Sequence, residues 1–591
     1  MLKSQLFPIQ VLQGIRRLIR NDQMMLAGLS LVAGLITGAM VVVFRETILF
    51  FQGHFFASSD DNLVIIAATL PWWQLILVPT LGGLVVGLIV HFAIDGARPR
   101  GVADVVEACA LNNGHLSSLT GIKAAFVNAL SIGVGASVGR EGPAVHLGAA
   151  LSSFIARTLQ LKPSLSRTLL GCGVAAAVSA SFNAPIAGAL FAGEVVIGHY
   201  ALKTFAPVVI ASVAGTALSR SYYGDFPAFI VPPHGDLSYI EFPAFMVLAL
   251  ICGLVASILM KGIFKTQDLS QNLPLPPWTH PAVAGLGVGL MALVVPQILG
   301  VGYGATDEAL GGHMALGLLL AVLAAKIVAT ILCLGMGFGG GIFSPSLMIG
   351  ALLGGAFGVV ATDLFPMFDV GVYGYALVGM GAVSAAVLGA PISTTLIIFE
   401  MTGDYQLTLV VMLCVVISTA VMREMLGKNF FALQLERRGL NVKGGFEMQI
   451  LRSLSVQNLM ETEIETIQLT LGLAAIRARL QDCRVGVLFV VDEKGALLGT
   501  ITLADLGEAA FDHNLNQVVV AGDIARPYPP QVLASDHLET ALKVMTDSAE
   551  SLVAVVEDFK AHKLVGTIDQ KHLMTAYNRE ILENHHQERD L

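Results

Sequence analysis

The chain has 591 residues, of which 55% are hydrophobic and only 13% are charged, and it contains 62 glycines. This composition excludes an ordinary soluble enzyme and is typical of a protein with many membrane spans. The net charge of −9 argues against nucleic acid as a partner. The six cysteines show no pairing or metal-ligand spacing, so neither a metal site nor a required cofactor is predicted.

The predicted membrane segments follow a basic N-terminal stretch. Residues 1–23 are expected to form a cytoplasmic helix, and apolar runs at 24–51 and 72–94 are long enough to span a bilayer. The loop between these runs carries Asp60 and Asp61 and no basic residue, which suits the outside. Beyond residue 100 the apolar segments are short and broken by glycine or proline, which is typical of helices that line a protein-enclosed pathway. The remaining apolar segments are predicted at 103–111, 120–138, 143–158, 165–181, 185–198, 204–219, 242–264, 281–299, 315–335, 346–363, 372–388, 391–401 and 406–422.

Two adjacent charges, Arg140 and Glu141, lie inside this apolar sequence in the stretch Gly139–Pro143. Glycine lets backbone amides approach a ligand, and proline suits the first turn of a helix. A helix is therefore predicted to begin at about Gly142, with free N–H groups facing an anion. Ionisable residues at membrane depth are costly and are candidates for function. The alternative is a turn at the membrane surface in which both charges face water.

The sequence also contains an internal repeat. The segment that follows Asn183-Ala184-Pro185 is echoed by the segment that follows Gly389-Ala390-Pro391, and each ends on a glutamate, Glu194 and Glu400. We expect these glutamates to be structural acids at helix ends rather than ion ligands. A duplicated pair of broken helices is expected of transporters whose site lies at the interface between repeats. The two repeats are predicted at about 24–220 and 240–440, within a pore domain at 24–440.

A second echo relates Gly139–Pro143 to Gly341–Pro345, at nearly the same offset in the chain. These two motifs, with Gly340 and the stretch Gly427–Gly439 before the tail, resemble the CLC family of chloride channels and proton-coupled chloride exchangers. The resemblance covers the chain from about residue 24 to its end. It implies a polytopic α-helical membrane fold built from an inverted repeat of tilted and broken helices. It also implies a homodimer with one pore in each subunit, in the inner (plasma) membrane of a bacterium, with both termini cytoplasmic.

The resemblance assigns roles to residues of the two motifs. Glu141 matches the gating glutamate, which competes with chloride for the outer site and carries the proton in exchangers. Ile342 and Phe343 match positions whose backbone amides hold the central anion. The transported ions would be chloride, other small anions and, in an exchanger, protons. The other residues predicted to bind the anion are Arg100, Gly101, Arg140, Gly142, Gly341 and Phe431.

Two departures from the family pattern concern the anion site. The family's Gly-Ser-Gly-Ile-Pro stretch aligns with Pro99–Ala103, so Arg100 replaces the serine, and the pore tyrosine aligns with Phe431. Both hydroxyl donors are thereby lost. Arg100 would either donate to the anion directly or face the cytoplasm and raise the local anion concentration. Chloride is the expected ion, and nitrate or another halide stays open.

A third departure concerns proton coupling. The internal proton-relay glutamate of well-coupled exchangers aligns with Val195, beside Glu194. The chain is therefore predicted to carry chloride as a channel or with weak proton coupling, and the alternative is a proton-coupled antiporter. An alternative from a different functional class is a membrane-anchored nucleotide sensor that transports nothing. No Ser/His pairing and no His-Glu-x-x-His motif occurs in the sequence, so an enzyme is not predicted.

The C-terminal region resembles a pair of CBS domains, an α+β module. The predicted parts are a linker at 441–449, CBS domains at 450–515 and 516–580, and a tail at 581–591. Strands are predicted at 487–491, 498–501, 551–556 and 564–568. Thr502 and Asp505 match the family positions that bind the ribose of an adenine nucleotide, whereas the second copy has Asp569 and His572. The alternative is a purely structural dimerisation module.

Overall fold

A computed structural model describes most of the chain. The described residues are 22–57, 66, 69–198, 202–224, 237–368, 370–440, 451, 454–483, 485–507, 511, 515–516 and 518–589. The helix predicted at 1–23 lies outside these residues up to residue 21. Asp60 and Asp61 of the predicted loop and the linker predicted at 441–449 also lie outside them. The described residues form two compact units, one before residue 443 and one after it.

In its described part, the first unit is almost entirely helical. The long apolar runs form helices because a helix pairs its backbone N–H and C=O groups within one segment, as the bilayer requires. The helices of the first half are α1 (Asp22–Phe56), α2 (Trp72–Ala93), α3 (Val102–Leu111), α4 (Ser118–Gly133), α5 (Glu141–Thr158), α6 (Pro163–Phe182), α7 (Pro185–Phe191) and α8 (Leu202–Tyr223). The π-helical turn Ala192–Ile197 continues α7.

The second half repeats this order of helices. Its helices are α9 (Phe242–Gln271), α10 (His280–Ala292), α11 (Tyr303–Leu310), α12 (Leu316–Gly335), α13 (Phe343–Leu364), α14 (Gly371–Leu388), α15 (Pro391–Thr402), α16 (Tyr405–Leu426) and α17 (Phe430–Arg437). In the described part, α13, α14 and α15 occupy the places that α5, α6 and α7 occupy in the first half. The echo found in the sequence therefore corresponds to a repeated series of helices.

Eight helices of the described part are long and apolar enough to cross a membrane. The segments predicted at 281–299 and 391–401 do not form complete spans, because their helices have only 13 and 12 residues. α10 ends before Pro296, where a short 3₁₀ turn follows. α15 lies between Pro391 and Gly403, which adopts the left-handed conformation with φ 74°.

The two repeats cap each other's helices. The Glu400 carboxylate, at the end of α15, accepts the backbone N–H groups of Ile186 and Ala187 at 3.0 and 2.7 Å, in the first turn of α7. In the same way, Glu194 accepts the N–H groups of Ile392 and Ser393 at 3.1 and 2.8 Å, in the first turn of α15. Carboxylates satisfy the unpaired amides of a helix N-terminus and complement its dipole. Exchange of the two halves turns each contact into the other, which indicates an approximate two-fold relation between them.

The second unit contains two sheets of the same design. Its elements are β1 (Thr466–Gln468), α18 (Leu473–Asp482), β2 (Val487–Val491), β3 (Leu497–Thr502), α19 (Leu503–Leu506), α20 (Ala521–Ile524), β4 (Arg526–Pro527), β5 (Gln531–Leu533), α21 (Leu538–Ser548), β6 (Leu552–Val556), β7 (Leu564–Asp569) and α22 (Gln570–Arg589). β1 pairs in parallel with β2, which pairs antiparallel with β3. β5, β6 and β7 pair in the same way. The hairpins predicted from the β-branched runs are confirmed, with ends that differ by a residue.

Apolar side chains join the two sheets of this unit. Phe489 and Leu497 of the first sheet form one buried cluster with Ala554 and Val556 of the second. Each sheet also has its own core against its helices. Burial of β-branched and aromatic residues on both faces explains why short strands form here.

Candidate functional site

The two glycine motifs meet through their backbones. Gly139 and Gly341 exchange two N–H to carbonyl hydrogen bonds, each of 2.7 Å, in an antiparallel bridge. A Cβ atom on Gly139 would lie 3.1 Å from the carbonyl oxygen of Gly341, and one on Gly341 would lie 3.0 Å from the amide nitrogen of Gly142. Glycine is needed at both positions because the two chain segments approach so closely.

Two helices begin directly after this bridge. α5 begins at Glu141 and α13 at Phe343, and each has a proline in its first turn, Pro143 and Pro345. The first N–H groups of a helix have no partner within the helix, and the helix dipole adds positive potential there. Two such N-termini therefore face the same small region, which favours a negative charge. The predicted helix start near Gly142 is correct to within one residue.

The Glu141 side chain lies in this region and is only 2% exposed. One carboxylate oxygen accepts a 3.0 Å hydrogen bond from the Tyr303 hydroxyl, and the other accepts one from the Ser344 hydroxyl. The Arg140 Nε atom lies 3.9 Å from the first oxygen, and the Arg140 guanidinium lies 4.5 Å from the centroid of the Tyr303 ring. The charge of Glu141 is therefore stabilised by donors from the second half of the chain as well as from its own half.

A cavity of about 390 Å³ adjoins Glu141. It is lined by eight of the nine residues predicted to bind the anion, namely Arg100, Gly101, Glu141, Gly142, Gly341, Ile342, Phe343 and Phe431. Arg140 does not line the cavity and stacks on Tyr303 instead. Glu194 and Val195 also do not line it; they lie in the π-helical turn after α7.

Phe343 and Phe431 give the cavity an apolar wall. Phe343 packs edge-on against Phe182, with ring centroids 4.9 Å apart. Phe431 is buried in the first turn of α17, where the Asn429 side chain accepts the N–H of Ala432 at 2.9 Å as the N-cap. An apolar wall lowers the local dielectric constant and strengthens the interaction of peptide dipoles with an anion.

Arg100 lines the cavity with its guanidinium paired. Its Nη1 donates to Asp104 at 3.0 Å, and its Nη2 donates to the carbonyl oxygen of Asp95. Arg98 and Arg438 contact the same Asp104 oxygen at 2.7 and 3.3 Å. Arg100 thus belongs to a charged cluster on the cavity wall, and its direct or indirect action on an anion stays a prediction.

Three polar residues of this site were missed in the sequence. Tyr303 and Ser344 contact Glu141 from distant parts of the chain, and no local pattern signals such contacts. Asp104 had a signal, because an acid in the first turn of a helix is favoured beside the unpaired N–H groups there, and Asp104 accepts the N–H of Gly101.

Both parts of the chain match known protein families. The sequence profile of the family described as voltage gated chloride channel matches residues 82–423, more than half of the chain. The chain belongs to this CLC family. Two further matches, at 456–512 and 521–579, are CBS domains, so this CLC protein carries a C-terminal CBS pair as predicted. The family places it among multi-span membrane proteins that transport anions.

The matches with individual relatives extend over most of each relative's length. A ClcB-like chloride channel protein from Ralstonia nicotianae is 35% identical over 65% of this chain and 90% of its own. The H(+)/Cl(−) exchange transporter ClcA of Salmonella agona is 30% identical over 74% of this chain and 94% of its own. The crystal structure of a slow cyanobacterial Cl⁻/H⁺ antiporter superposes with a TM-score of 0.63 at 22% identity, over 70% of this chain and 97% of its own. The relatives include both a channel and an exchanger by name, and the structure supports the CLC fold.

The tail places Thr502 and Asp505 together. One Asp505 carboxylate oxygen accepts the Thr502 N–H at 2.7 Å and the Thr502 hydroxyl at 2.6 Å, which forms a capping box at α19. The other oxygen faces Arg526 Nε at 2.9 Å, and Arg526 also pairs with Glu550 at 2.8 Å. Desolvation opposes the charge of Arg526, but the hydrogen bond to Glu550 and the charge of Asp505 raise the pKa of Arg526. In the second copy, Asp569 accepts the N–H of Lys571 at 2.6 Å, and His572 faces Glu461 at 3.0 Å.

Proposed function

We propose that this CLC protein conducts chloride through the cavity beside Glu141, and that the Glu141 carboxylate closes the path until it is protonated or displaced. The observation that carries the proposal is the carboxylate at the joint N-termini of α5 and α13, hydrogen-bonded by Tyr303 and Ser344. A carboxylate and a chloride ion require the same positive potential and the same N–H donors, so they compete. Protonation removes the charge of the competitor and lets the anion enter.

We further propose that transport is channel-like or only weakly coupled to protons. The support is Val195 at the position where the resemblance expects a proton-relay acid, since a valine side chain cannot carry a proton. The alternative is a proton-coupled antiporter, which is favoured by the likeness to the exchange transporter ClcA of Salmonella agona. Both alternatives share Glu141 as the gating group.

The experiment is a flux measurement on purified protein in liposomes with an imposed chloride gradient. We expect chloride efflux with little or no uphill proton movement, and altered chloride flux in Glu141→Gln. The control variant is Glu424→Gln, because Glu424 is exposed on α16, away from the cavity lining. Strong uphill proton movement that Glu141→Gln abolishes would establish the antiporter instead. Chloride flux that is unchanged in Glu141→Gln would contradict the gating role.

We propose chloride as the main ion, with nitrate or another halide as the alternative, because Arg100 and Phe431 replace the family's hydroxyl donors at the cavity. A guanidinium presents planar donors that match an oxyanion as well as a halide. Flux with a panel of anions in the same liposomes decides the order of selectivity. Nitrate flux well above chloride flux would contradict the chloride assignment.

We propose that Thr502 and Asp505 bind the ribose of an adenine nucleotide and that the tail thereby regulates transport. The support is a hydroxyl and a carboxylate held together at the start of α19, which suit sugar hydroxyls. Because Arg526 already contacts Asp505, a nucleotide would displace this contact or place a phosphate against Arg526. The alternative is a structural module without nucleotide.

Binding of radiolabelled ATP and AMP to the full-length protein in detergent tests this proposal. We expect saturable binding that is lost in Asp505→Ala and kept in Asp569→Ala, the equivalent change in the second copy. Absence of saturable binding in the unmodified protein would favour the structural module. Nucleotide binding by a protein that passes no anion would favour the membrane-anchored sensor.

We also propose a homodimer in the bacterial plasma membrane with both termini in the cytoplasm, and no enzymatic activity. The support is the CLC family membership and the names of the relatives, which are channels and transporters. Mass measurement of the detergent-solubilised protein tests the dimer, and labelling of terminal cysteine tags in intact cells tests the orientation. A monomeric mass would contradict the homodimer. Tags that react with a reagent added outside the cell would contradict the cytoplasmic position of the termini.

A further inference from the structure

One wall of the cavity carries a cluster of arginines around a buried carboxylate, Asp104, which is only 4% exposed. Its Oδ2 atom accepts the backbone N–H of Gly101 at 2.9 Å. Its Oδ1 atom faces the Nη1 atoms of Arg98, Arg100 and Arg438 at 2.7, 3.0 and 3.3 Å. Among the described residues, three guanidinium groups therefore converge on one oxygen atom.

The cluster holds more positive charge and more donors than its acids can satisfy. The second acid is Glu107, whose carboxylate lies 3.5 Å from Arg438 and 4.0 Å from Arg98. Three guanidinium groups and two carboxylates leave one positive charge among these side chains. A carboxylate oxygen offers about two lone-pair positions, and Arg100 and Arg438 donate hydrogen bonds to Oδ1. The buried Nη1 atom of Arg98, although 2.7 Å away, makes no hydrogen bond there. A small monovalent anion would balance both the charge and the donors.

We propose that Asp104 is a tethered competitor of the transported anion at this wall, and that it sets how tightly the cavity holds the anion. The inference rests on the proposed function, in which anions pass through this cavity. While the Asp104 carboxylate occupies the guanidinium donors, an anion binds there weakly enough to leave. Without it, three guanidinium groups opposed only by Glu107 hold the anion strongly and transport slows, because conduction requires sites that release the ion as well as bind it.

The test is Asp104→Asn in the full-length protein. Asparagine keeps a side-chain oxygen for the N–H of Gly101, so the start of α3 retains its cap. We expect chloride to bind on the order of tenfold more tightly by calorimetry in detergent, because one charge that opposes the anion has been removed near it. We expect the chloride flux in liposomes at saturating chloride to fall several-fold. Unchanged or weaker chloride binding by folded Asp104→Asn protein would overturn the proposal.

Asp268→Asn is the matched control. Asp268 lines the same cavity and pairs with an arginine, Arg437, but its side chain is 53% exposed and it contacts a single guanidinium group. Water screens an exposed pair, so this change is expected to alter chloride affinity less than about twofold. A gain in affinity equal to that of Asp104→Asn would mean that general cavity charge, not the position of Asp104, sets the affinity, and would overturn the assignment.

Arg100→Gln keeps the proposal testable if Asp104→Asn does not fold. Removal of one guanidinium group removes the surplus charge, so we expect Arg100→Gln to bind chloride more weakly than the unmodified protein. In the double variant Arg100→Gln/Asp104→Asn, we expect a gain in chloride affinity smaller than that of Asp104→Asn alone. A purely structural cluster predicts unchanged chloride affinity in the folded Arg100→Gln protein, which would overturn the proposal. Failure of the proposed function gives a different result, namely no Glu141-dependent chloride flux in the unmodified protein.

Discussion

The Tyr303 hydroxyl donates a 3.0 Å hydrogen bond to the Glu141 carboxylate, although 162 positions separate the two residues in the chain. Tyr303 begins α11 in the second half, whereas Glu141 begins α5 in the first. The environment of the Glu141 carboxylate therefore depends on both repeats. This contact is one that a single substitution can remove without changing the charge of the site.

Tyr303→Phe is expected to increase chloride flux at neutral pH by about two- to tenfold, because the closed carboxylate loses a hydrogen bond worth about 0.5–1.5 kcal/mol. Flux into liposomes measures the effect. Tyr375→Phe is the matched control, since the Tyr375 hydroxyl donates to Glu241 at 3.1 Å and Tyr375 does not line the cavity. Equal flux in Tyr303→Phe and the unmodified protein would show that this hydroxyl does not stabilise the closed state.

Ser344→Ala removes the other hydroxyl donor to Glu141. The expected flux increase is of similar size, and the double variant Tyr303→Phe/Ser344→Ala should exceed either single change, because both donors stabilise the same charge. Ser346→Ala provides the control, since Ser346 donates to the carbonyl of Phe343 rather than to Glu141. If the chloride flux of Ser344→Ala were equal to or below that of Ser346→Ala, the Ser344 hydroxyl would not stabilise the closed state.

Chloride flux is expected to rise as the pH falls. This follows from the proposed function, in which a neutral side chain at this position no longer competes with the anion. In Glu141→Gln the side chain is neutral at every pH, and the flux should vary less than about twofold over the same range. Stopped-flow flux in liposomes at a series of pH values measures both. A pH response that persists undiminished in Glu141→Gln would assign it to another group.

Glu400→Ala is expected to lower the thermal stability of the protein. The change leaves the N–H groups of Ile186 and Ala187 without their carboxylate acceptor, at a cost of about 1–3 kcal/mol. The apparent melting temperature in detergent should fall by a few degrees. Glu194→Ala should have an effect of at least this size, because Glu194 accepts the N–H groups of Ile392 and Ser393 and also the Ser393 hydroxyl. Exposed Glu424→Ala is the control, and a shift equal to that of Glu424→Ala would refute the capping role.

The sequence predicted the repeat and the helix start beside Glu141 because both depend on local signals. Gly139 and Gly341 are needed where two segments touch, and Pro143 and Pro345 lie in first helical turns. Such requirements leave residue types that can be recognised without a structure. The hairpins of the tail were predicted for the same reason, from β-branched runs separated by a turn.

The partners of the charged residues could not be predicted. The contact of Ser344 with Glu141 depends on how the two repeats pack, and the contact of Arg438 with Asp104 spans 334 positions. The sequence showed Arg100 as an unusual residue at the predicted anion site, but not that Asp104 pairs with it. Charge pairs across distant segments leave no periodic pattern, so only the folded chain identifies them.

The bridge between Gly139 and Gly341 is made by main-chain atoms, and so are the helix ends beside it. Main-chain groups are the same for every residue type except proline. The side chains that line the neighbouring cavity can therefore differ without dismantling the junction, and Arg100 and Phe431 are compatible with it. Residues of the cavity wall can thus be exchanged one at a time while the main-chain junction beside them keeps its form.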